Sequence, residues 1–283
     1  METAWLAEHL QDPDLRVVDM RGYVKASLSE GGVQHAAYLG AKDEYAAGHI
    51  PGAVYLDWTS DIVDLDDPVP AQVASPDKIA RTLGEAGIGD ETLVIAYDNH
   101  PASQFATRLW WVLRYYGYSN VRVLNGGWGK WVGEKRPIES GDITPPPTVF
   151  TPNLQPNLRT DAESLLQTLN NPTTCLIDAR DEGQYTGAVR RGSRGGHIPG
   201  AINVPRELLF NPDGTFQDAG KLHQLVGDLG ISGDQNIVAY CNGGVAATSV
   251  LFTLSMLGYP SLTNYDGSWN EWSERPELPV EKG

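Results

Sequence analysis

The chain repeats four short motifs in the same order, about half its length apart. Gly-His-Ile-Pro-Gly-Ala occurs at residues 48–53 and again at 196–201. The other pairs are residues 17–21 and 176–180, 94–99 and 237–242, and 125–128 and 266–269. Because 283 residues can form two hydrophobic cores, the shared order and spacing of these motifs predict duplicated domains over residues 1–138 and 158–283. Residues 139–157 between them carry five prolines, which predicts a semi-rigid linker.

Strand and helix patterns alternate in both halves of the chain. The first half predicts helices over 5–10, 78–86 and 104–116, and strands over 15–20, 93–97 and 121–124. The second half predicts helices over 162–169, 221–229 and 247–257, and strands over 175–179 and 237–240. This alternation predicts an α/β fold in which each domain has a mostly parallel sheet flanked by helices. Ligands of such sheets bind at the carboxyl ends of the strands.

Cys241 lies at one of these strand ends. The apolar run Ile237–Tyr240 leads into it, and the predicted helix begins at Ala247. A thiol there faces unpaired backbone N–H groups and the positive end of the helix dipole, and this field favours the thiolate. Cys241 is therefore the candidate catalytic nucleophile.

The residues after Cys241 form a candidate anion cradle. Gly243 and Gly244 permit the backbone angles of a tight turn, in which successive N–H groups point to one anion. The expected donors are the N–H groups of Asn242, Gly243, Gly244, Val245, Ala246 and Ala247. The hydroxyl of Thr248 either joins this cradle or caps the helix.

The composition excludes several classes of function. The formal net charge of −15 argues against nucleic-acid binding, which depends on contacts between basic side chains and phosphates. The sequence has neither a long apolar run nor a signal-peptide pattern, so we expect no membrane span. Two cysteines do not make a disulfide framework, which predicts a reducing, cytoplasmic environment. Cys175 lies in an apolar strand and is expected to be a core residue.

The repeated motifs resemble those of the tandem-domain rhodanese-like sulfurtransferases. The resemblance rests on Asp-x-Arg, Gly-His-Ile-Pro-Gly-Ala, the cysteine loop and Asp-Gly-x-Trp, and it spans nearly the whole chain. In that family the second domain is catalytic and the first has lost its cysteine. Asp98 stands where Cys241 stands in the other half. Because a carboxylate cannot form a persulfide, the resemblance implies an inactive first domain that helps to shape the cleft.

The resemblance implies a double displacement. The cysteine takes a sulfane sulfur from thiosulfate or 3-mercaptopyruvate, and the resulting persulfide passes it to cyanide or a thiol. It implies no cofactor and no metal, and a thioredoxin-like protein is one candidate acceptor. Loops with flanking cations suit thiosulfate, and neutral loops with a serine suit 3-mercaptopyruvate. The loop here is neutral but has Gly243 at the serine position, which leaves the donor open with a slight preference for 3-mercaptopyruvate.

Four arginines cluster before and after the second Gly-His-Ile-Pro-Gly-Ala motif, in a stretch without acidic residues: Arg190, Arg191, Arg194 and Arg206. The resemblance implies that an arginine before this motif binds the donor's oxyanion. Arg190 and Arg191 are the candidates, and Arg190 is the better match by its distance from His197. Gln184 replaces a further arginine of the family, which puts one anchor of the donor in doubt.

Other repeated polar residues are expected to be structural. His49 and His197 lie in turns where an imidazole commonly binds backbone, although relatives are proposed to use the first histidine in a relay that Gly243 leaves incomplete. Asp19 with Arg21 and Asp178 with Arg180 are expected to form ion pairs. Trp128, Trp131, Trp269 and Trp272 are expected to anchor the core.

Two other functions compete with sulfur transfer. A cysteine phosphatase of related fold would need an arginine after a five-residue loop, where this chain has Ala247. A non-enzymatic sulfur carrier or interaction module would keep Cys241 without turnover.

Overall fold

The first half of the chain forms a parallel sheet with helices on its faces. The computed structural model describes residues 1–30, 32–169 and 171–283. The helices of this half are α1 (Thr3–His9), α2 (Lys42–Ala47), α3 (Pro76–Glu85), α4 (Gln104–Tyr115) and α5 (Gly127–Gly133). The strands are β1 (Leu15–Asp19), β2 (Gly22–Leu28), β3 (Val33–Gly40), β4 (Val54–Tyr55), β5 (Leu93–Tyr97) and β6 (Val121–Val123). Four strands pair in parallel in the order β4-β1-β5-β6.

The second half repeats this arrangement. Its helices are α6 (Ala162–Thr168), α7 (Glu182–Thr186), α8 (Ala219–Asp228), α9 (Ala247–Met256) and α10 (Ser268–Trp272). Its strands are β7 (Arg159–Thr160), β8 (Thr174–Asp178), β9 (Arg190–Arg191), β10 (Ile202–Asn203), β11 (Asn236–Tyr240) and β12 (Leu262–Tyr265). The parallel order is β10-β8-β11-β12-β7. The predicted helices and strands lie within two residues of those observed at each end, and the α/β class is confirmed.

Burial explains why the central strands are apolar. β5 and β11 lie between neighbouring strands and are covered by helices, so their side chains from the second residue onward are buried. α4 and α9 follow these two strands and pack against each other across the two halves. Trp110 of α4 meets Phe252 of α9 edge to ring, with centroids 5.1 Å apart. The carboxyl ends of β5 and β11 therefore lie near the junction of the halves.

A third sheet joins the two halves directly. β2 and β3 form an antiparallel hairpin with Gly22 opposite Gly40 and Leu28 opposite Gln34. β3 then pairs in parallel with β9 of the second half, with Val33 opposite Arg190. This hairpin, which we call the bridging hairpin, was not among the predicted elements. It brings side chains of the first half to the strand that carries Arg190 and Arg191.

The proline-rich segment runs along the first half of the chain. Phe150 is buried against Tyr118, and the N–H of Asn153 donates to the carbonyl of Tyr116. A bridge also pairs Glu139 with His49. Contacts thus fix much of the segment to the first half, while Asn157 at its end accepts a hydrogen bond from Thr263 of the second half. The limits at residues 138 and 158 remain a prediction. In the part of the chain that the structure describes, no helix is long and apolar enough to cross a membrane.

Candidate active site

Cys241 lies in a cavity of about 210 Å³ between the two halves of the chain. It follows β11 directly, and only 3% of the residue is exposed. From the first half the cavity is lined by Val24, Ala26, Gln34, Tyr38, Trp58, His100 and Gln104. From the second half it is lined by Asp181, Gln184, Arg191, Arg206, Cys241, Asn242, Gly243, Val245 and Ala246. The cavity has room for a small sulfur compound rather than a cofactor-sized molecule.

The loop after Cys241 presents backbone N–H groups that the protein does not use. No acceptor occurs within residues 1–30, 32–169 and 171–283 for the N–H groups of Asn242, Gly243, Val245, Ala246 and Ala247. Gly244 differs, because its N–H donates to the Ser268 hydroxyl at 2.9 Å. The N–H of Cys241 donates to the same oxygen at 3.2 Å. Gly244 is therefore corrected from a candidate donor to a structural residue of the loop.

Gly244 must be glycine for two reasons. Its φ of +68° is the left-handed conformation, and a Cβ atom would lie 2.7 Å from Oδ1 of Asp266. Ser268 also has a positive φ, 53°, and its hydroxyl donates to the carbonyl of Tyr265. The hydroxyl thus holds the start and the middle of the cysteine loop in one geometry. The sequence contained no signal for this role beyond the match of Ser268 with Gly127 in the repeat.

Thr248 does not face the cavity. Its hydroxyl donates to the carbonyl of Val245 at 2.6 Å and lies 3.0 Å from the hydroxyl of Thr107 in α4. The side chain of Ala247 is also fully buried and lies outside the cavity wall. The structure therefore agrees with a structural role for the Thr248 hydroxyl at the start of α9, where it binds backbone. It does not agree with the alternative, in which this hydroxyl binds the persulfide.

Arg191, not Arg190, faces the cavity. Successive side chains of a strand point to opposite faces, and β9 buries Arg191 while it exposes Arg190. Nη2 of Arg191 donates to the hydroxyl of Tyr38 on the bridging hairpin at 2.9 Å. The expectation that Arg190 is the better anion ligand is corrected, because its side chain does not line the cavity.

Neutral amides occupy the wall at Gln184, where the resemblance implies an arginine. Gln184 is buried, and its Nε2 donates to Oε1 of Gln34 at 2.6 Å. Its Oε1 accepts a hydrogen bond from Nδ2 of Asn242 at 2.9 Å. The row Gln34–Gln184–Asn242 thus links the bridging hairpin to the cysteine loop without a charge. Oδ1 of Asn242 is buried and has no partner among the residues that the structure describes.

His100 adds a neutral imidazole to the cavity wall. Burial, assisted by the nearby charge of Arg206, lowers the pKa of His100 to about 4. Nδ1 accepts a hydrogen bond from the N–H of Ala102 at 3.0 Å, so the proton of the neutral ring is on Nε2. His100 is thus a hydrogen-bond donor at neutral pH and not a cation.

Asp98 occupies the position of Cys241 in the first half, but in a different setting. Its carboxylate accepts hydrogen bonds from the N–H groups of His100, Phe105 and Ala106 at 2.8–2.9 Å. The side chain is buried, and burial raises its pKa to about 7. It does not line the cavity of Cys241. The carboxylate thus accepts the hydrogen bonds that the N–H groups at the start of α4 could otherwise donate to a ligand. This agrees with the prediction that the loop of Asp98 is an inactive counterpart of the cysteine loop.

The remaining repeated residues are structural, as expected. Nδ1 of His49 and of His197 each lies 2.9 Å from a backbone carbonyl. The buried pairs Asp19–Arg21 and Asp178–Arg180 are in contact at 2.8 and 2.6 Å. The other predicted anchors are Trp131, Trp269 and Trp272, which are fully buried, and Trp128, which stacks on Arg21. Within the described residues, no group of three His, Cys, Asp or Glu side chains could hold a metal ion.

The model of the rhodanese-like domain family matches the chain twice, over residues 2–134 and 161–275. The chain belongs to this family. It is 34% identical to the sulfur carrier protein TtuD of Thermus thermophilus, over 100% of this chain and 96% of the relative. It is 33% identical to the 3-mercaptopyruvate sulfurtransferase of Escherichia coli, over 98% and 95%. It is also 33% identical to the thiosulfate sulfurtransferase of Rattus norvegicus, over 100% and 95%.

A solved structure agrees with this membership. SseA from Escherichia coli, a 3-mercaptopyruvate sulfotransferase with the rhodanese fold, superposes with a TM-score of 0.80 and 31% identity. The match covers 95% of this chain and 98% of SseA. The predicted resemblance, the two rhodanese-like domains and the sulfurtransferase class are thereby confirmed.

Proposed function

We propose that Cys241 carries the transferred sulfur as a persulfide and that 3-mercaptopyruvate is the preferred donor. The observation that supports this most is the buried cysteine at the end of β11, in a cavity between the two halves, with five unused N–H groups in its loop. These groups can stabilise both a thiolate and the terminal sulfur of a persulfide. Asn242, Gly243, Val245, Ala246 and Ala247 are the proposed donors.

The proposed reaction has two displacements. The Cys241 thiolate attacks the donor's sulfur, an S–S bond forms, and the sulfur–carbon bond breaks. Its electron pair leaves on carbon as the enolate of pyruvate, which takes the proton released by the donor's thiol group and becomes pyruvate. Cyanide then attacks the outer sulfur through carbon. The S–S bond breaks, thiocyanate leaves, and the electron pair returns to Cys241 as thiolate.

The position of the cations supports 3-mercaptopyruvate over thiosulfate. The negative oxygens of thiosulfate are only two bonds away from the transferred sulfur, so a cation on the cysteine loop would suit it. This loop is neutral from Cys241 to Thr248. The cavity's arginines lie instead on β9 and after β10, on other parts of its wall. The carboxylate oxygens of 3-mercaptopyruvate are four bonds from its sulfur and can reach such a cation while the sulfur contacts Cys241.

The test begins with thiocyanate formation from purified protein, 3-mercaptopyruvate and cyanide. Cys241→Ser should abolish it, and mass spectrometry should find one added sulfur atom on the wild type but not on this variant. Cys175→Ser is the matched control: burial raises the pKa of Cys175 to about 11, so its thiol is unreactive at neutral pH. Retained activity in Cys241→Ser would disprove the proposed role.

The donor is tested by comparing kcat/KM for 3-mercaptopyruvate and thiosulfate under the same conditions. We expect 3-mercaptopyruvate to be preferred by about tenfold or more. A preference of about that size for thiosulfate would contradict the choice of donor while leaving the persulfide intact. The acceptor is proposed to be a small thiol or a thioredoxin-like protein, and a cytoplasmic location remains a prediction.

A sulfur carrier is the second candidate, because one relative with 34% identity bears that name. A carrier would load Cys241 once and release the sulfur only to a specific protein. Repeated turnover with cyanide or dithiothreitol supports the enzyme. A single stoichiometric loading, stable towards both acceptors, would support the carrier.

A further inference from the structure

Arg206 occupies a position at which the two halves of the chain differ in chemistry. In the repeat, residues 52–58 correspond to residues 200–206, so Arg206 corresponds to Trp58. The fold gives the same match, because β4 and β10 are equivalent edge strands and each residue follows its strand by three positions. Both side chains line the cavity of Cys241. One half thus supplies an aromatic wall and the other a cation.

The side chain of Trp58 has aromatic neighbours and a hydrogen-bond acceptor, whereas the guanidinium of Arg206 has a donor without an acceptor. Trp58 is buried against Tyr38 and Phe105, and its Nε1 donates to the carbonyl of Leu39. Nε of Arg206 is buried and has no acceptor within the described ranges of the chain. Burying a donor without a partner is costly, so such a group points to an acceptor supplied by a ligand.

The contacts of Arg206 with acidic groups are weak. Nη2 lies 3.0 Å from Oε1 of Glu207, whose side chain is 53% exposed. Ion pairs with an exposed carboxylate contribute little and are screened by salt. Asp181 also lines the cavity, but its Oδ1 accepts a hydrogen bond from the N–H of Gln184 at the start of α7. The positive charge of Arg206 therefore remains available to an anion in the cavity.

The other candidate cations of the wall are missing or already oriented. Gln184 is neutral, and His100 beside Arg206 is held uncharged. Arg191 is oriented by the hydroxyl of Tyr38 and keeps further N–H groups for a ligand. The cavity thus has two arginines and no charged residue on the cysteine loop.

We propose that Arg206 is a donor-binding and specificity-determining residue, which together with Arg191 holds the carboxylate of an α-keto acid sulfur donor. This inference rests on the proposed function. A planar carboxylate accepts paired N–H groups from a guanidinium, and two arginines can hold both of its oxygens. Arg206 would take the place of the cation that Gln184 does not provide. Its proximity to His100 also brings a neutral Nε2–H donor to the keto oxygen.

The first experiment measures kinetics of Arg206→Gln and Arg206→Lys with 3-mercaptopyruvate. In Arg206→Gln we expect KM to rise about tenfold or more, and the inhibition constant of pyruvate to rise in parallel, because a charge-assisted contact is lost. Once formed, the persulfide should react with cyanide at the wild-type rate, since the carboxylate has left by then. Arg206→Lys should recover part of the loss, because it keeps the charge without the paired geometry.

Arg190→Gln is the matched control. It removes the same charge from an exposed side chain of the same region that does not line the cavity. We expect its KM to stay within about twofold of the wild type. Equal effects of Arg190→Gln and Arg206→Gln would indicate a general field effect and overturn the inference. An unchanged KM in Arg206→Gln would overturn it as well.

A wild-type measurement covers the case in which the variants do not fold. Crystals of the wild-type protein soaked with pyruvate should place its carboxylate within hydrogen-bond distance of Arg206 Nε. A carboxylate bound elsewhere in the cavity would contradict the inference. If the wild type forms thiocyanate from neither donor, the proposed function fails. If it turns over and Arg206→Gln matches it, only the role of Arg206 fails.

Discussion

Arg108 of α4 donates a hydrogen bond from Nη1 to Oδ1 of Asp266, 2.6 Å away in the other half of the chain. Both side chains are almost completely buried, at 1% and 0% exposure. The same guanidinium donates to the carbonyl of Gly244 at 3.1 Å and to that of Ala71 at 2.8 Å. Since Gly244 belongs to the cysteine loop, one arginine of the first half fixes the loop of the second.

Replacing Arg108 by methionine should therefore destabilise the protein strongly. The variant leaves the Asp266 carboxylate buried without its close ion pair, because Arg159 lies farther away, at 3.5 Å. It also leaves the carbonyl of Ala71 without the donor that Arg108 supplied, while the carbonyl of Gly244 keeps a hydrogen bond from Asn264. We expect the free energy of unfolding to fall by about 3–5 kcal/mol, measured by urea denaturation. Arg122→Met is the control, because Arg122 is exposed and binds only neighbouring carbonyls. A similar loss in both variants would contradict the role of the ion pair.

The hydroxyl of Ser268 should matter for both stability and rate. Ser268→Ala leaves the N–H groups of Cys241 and Gly244 without their acceptor and keeps the positive φ. We expect kcat for thiocyanate formation to fall by about 10–100-fold, because the cradle loses its fixed geometry.

The variant Ser268→Gly separates the effect of losing the hydroxyl from the effect of backbone strain at residue 268. Glycine tolerates the φ of +53°, as Gly127 does at +50° in the first half, so this variant should be the more stable of the two. Its kcat should nevertheless be as low as that of Ser268→Ala. Recovery of kcat in the glycine variant would mean that backbone strain, and not the hydroxyl, is responsible.

The regular elements and the cysteine loop could be predicted because their signals are local. β5 occupies the predicted residues 93–97, and α9 begins at Ala247 as expected. An apolar run of five residues followed by glycines and a helix pattern determines a strand, a turn and a helix start without long-range information. The repeat also predicted the two rhodanese-like domains, which the family matches confirm. That the half of the chain with Asp98 is inactive stays a prediction.

The walls of the cavity could not be predicted, because they depend on contacts between distant segments. β9 has only two residues, too few for an alternation that would decide whether Arg190 or Arg191 faces inward. Its pairing with β3 connects residues more than a hundred positions apart. The alternating residues of the bridging hairpin were a usable signal for strands, but no pattern indicated which half they would meet.

Tyr38 should act on donor binding through Arg191. Its hydroxyl accepts hydrogen bonds from Nη2 of Arg191 at 2.9 Å and from Nδ2 of Asn270 at 3.3 Å. Tyr38→Phe removes the acceptor that orients the guanidinium, so we expect KM for 3-mercaptopyruvate to rise about 3- to 10-fold. The value of kcat should change little, because the cysteine loop is untouched.

Tyr23→Phe is the control for this variant. Tyr23 lies on the same hairpin but does not line the cavity. Its hydroxyl donates a hydrogen bond to the exposed carboxylate of Glu44. It should leave both kinetic constants unchanged. A fall in kcat with constant KM in Tyr38→Phe would assign the tyrosine to the chemical step and contradict a positioning role.

Asp98 should make the stability of the protein depend on pH. Burial raises the pKa of this carboxyl to about 7, above the value near 4 of an unfolded chain. The folded state therefore binds the proton more tightly than the unfolded state does. Stability from this group is fully present below about pH 4, falls as the pH rises towards about 7, and stays constant above that.

Asp98→Asn removes this dependence. The amide oxygen can still accept from the N–H groups of Phe105 and Ala106, while the N–H of His100 loses its partner at every pH. Between about pH 5 and 8, the free energy of unfolding of the wild type should fall by about 2–3 kcal/mol relative to the variant. Urea denaturation at both pH values measures this difference, with the exposed Asp12→Asn as a control that should show none. A difference between wild type and Asp98→Asn that does not change with pH would mean that Asp98 stays ionised in the folded protein across this range.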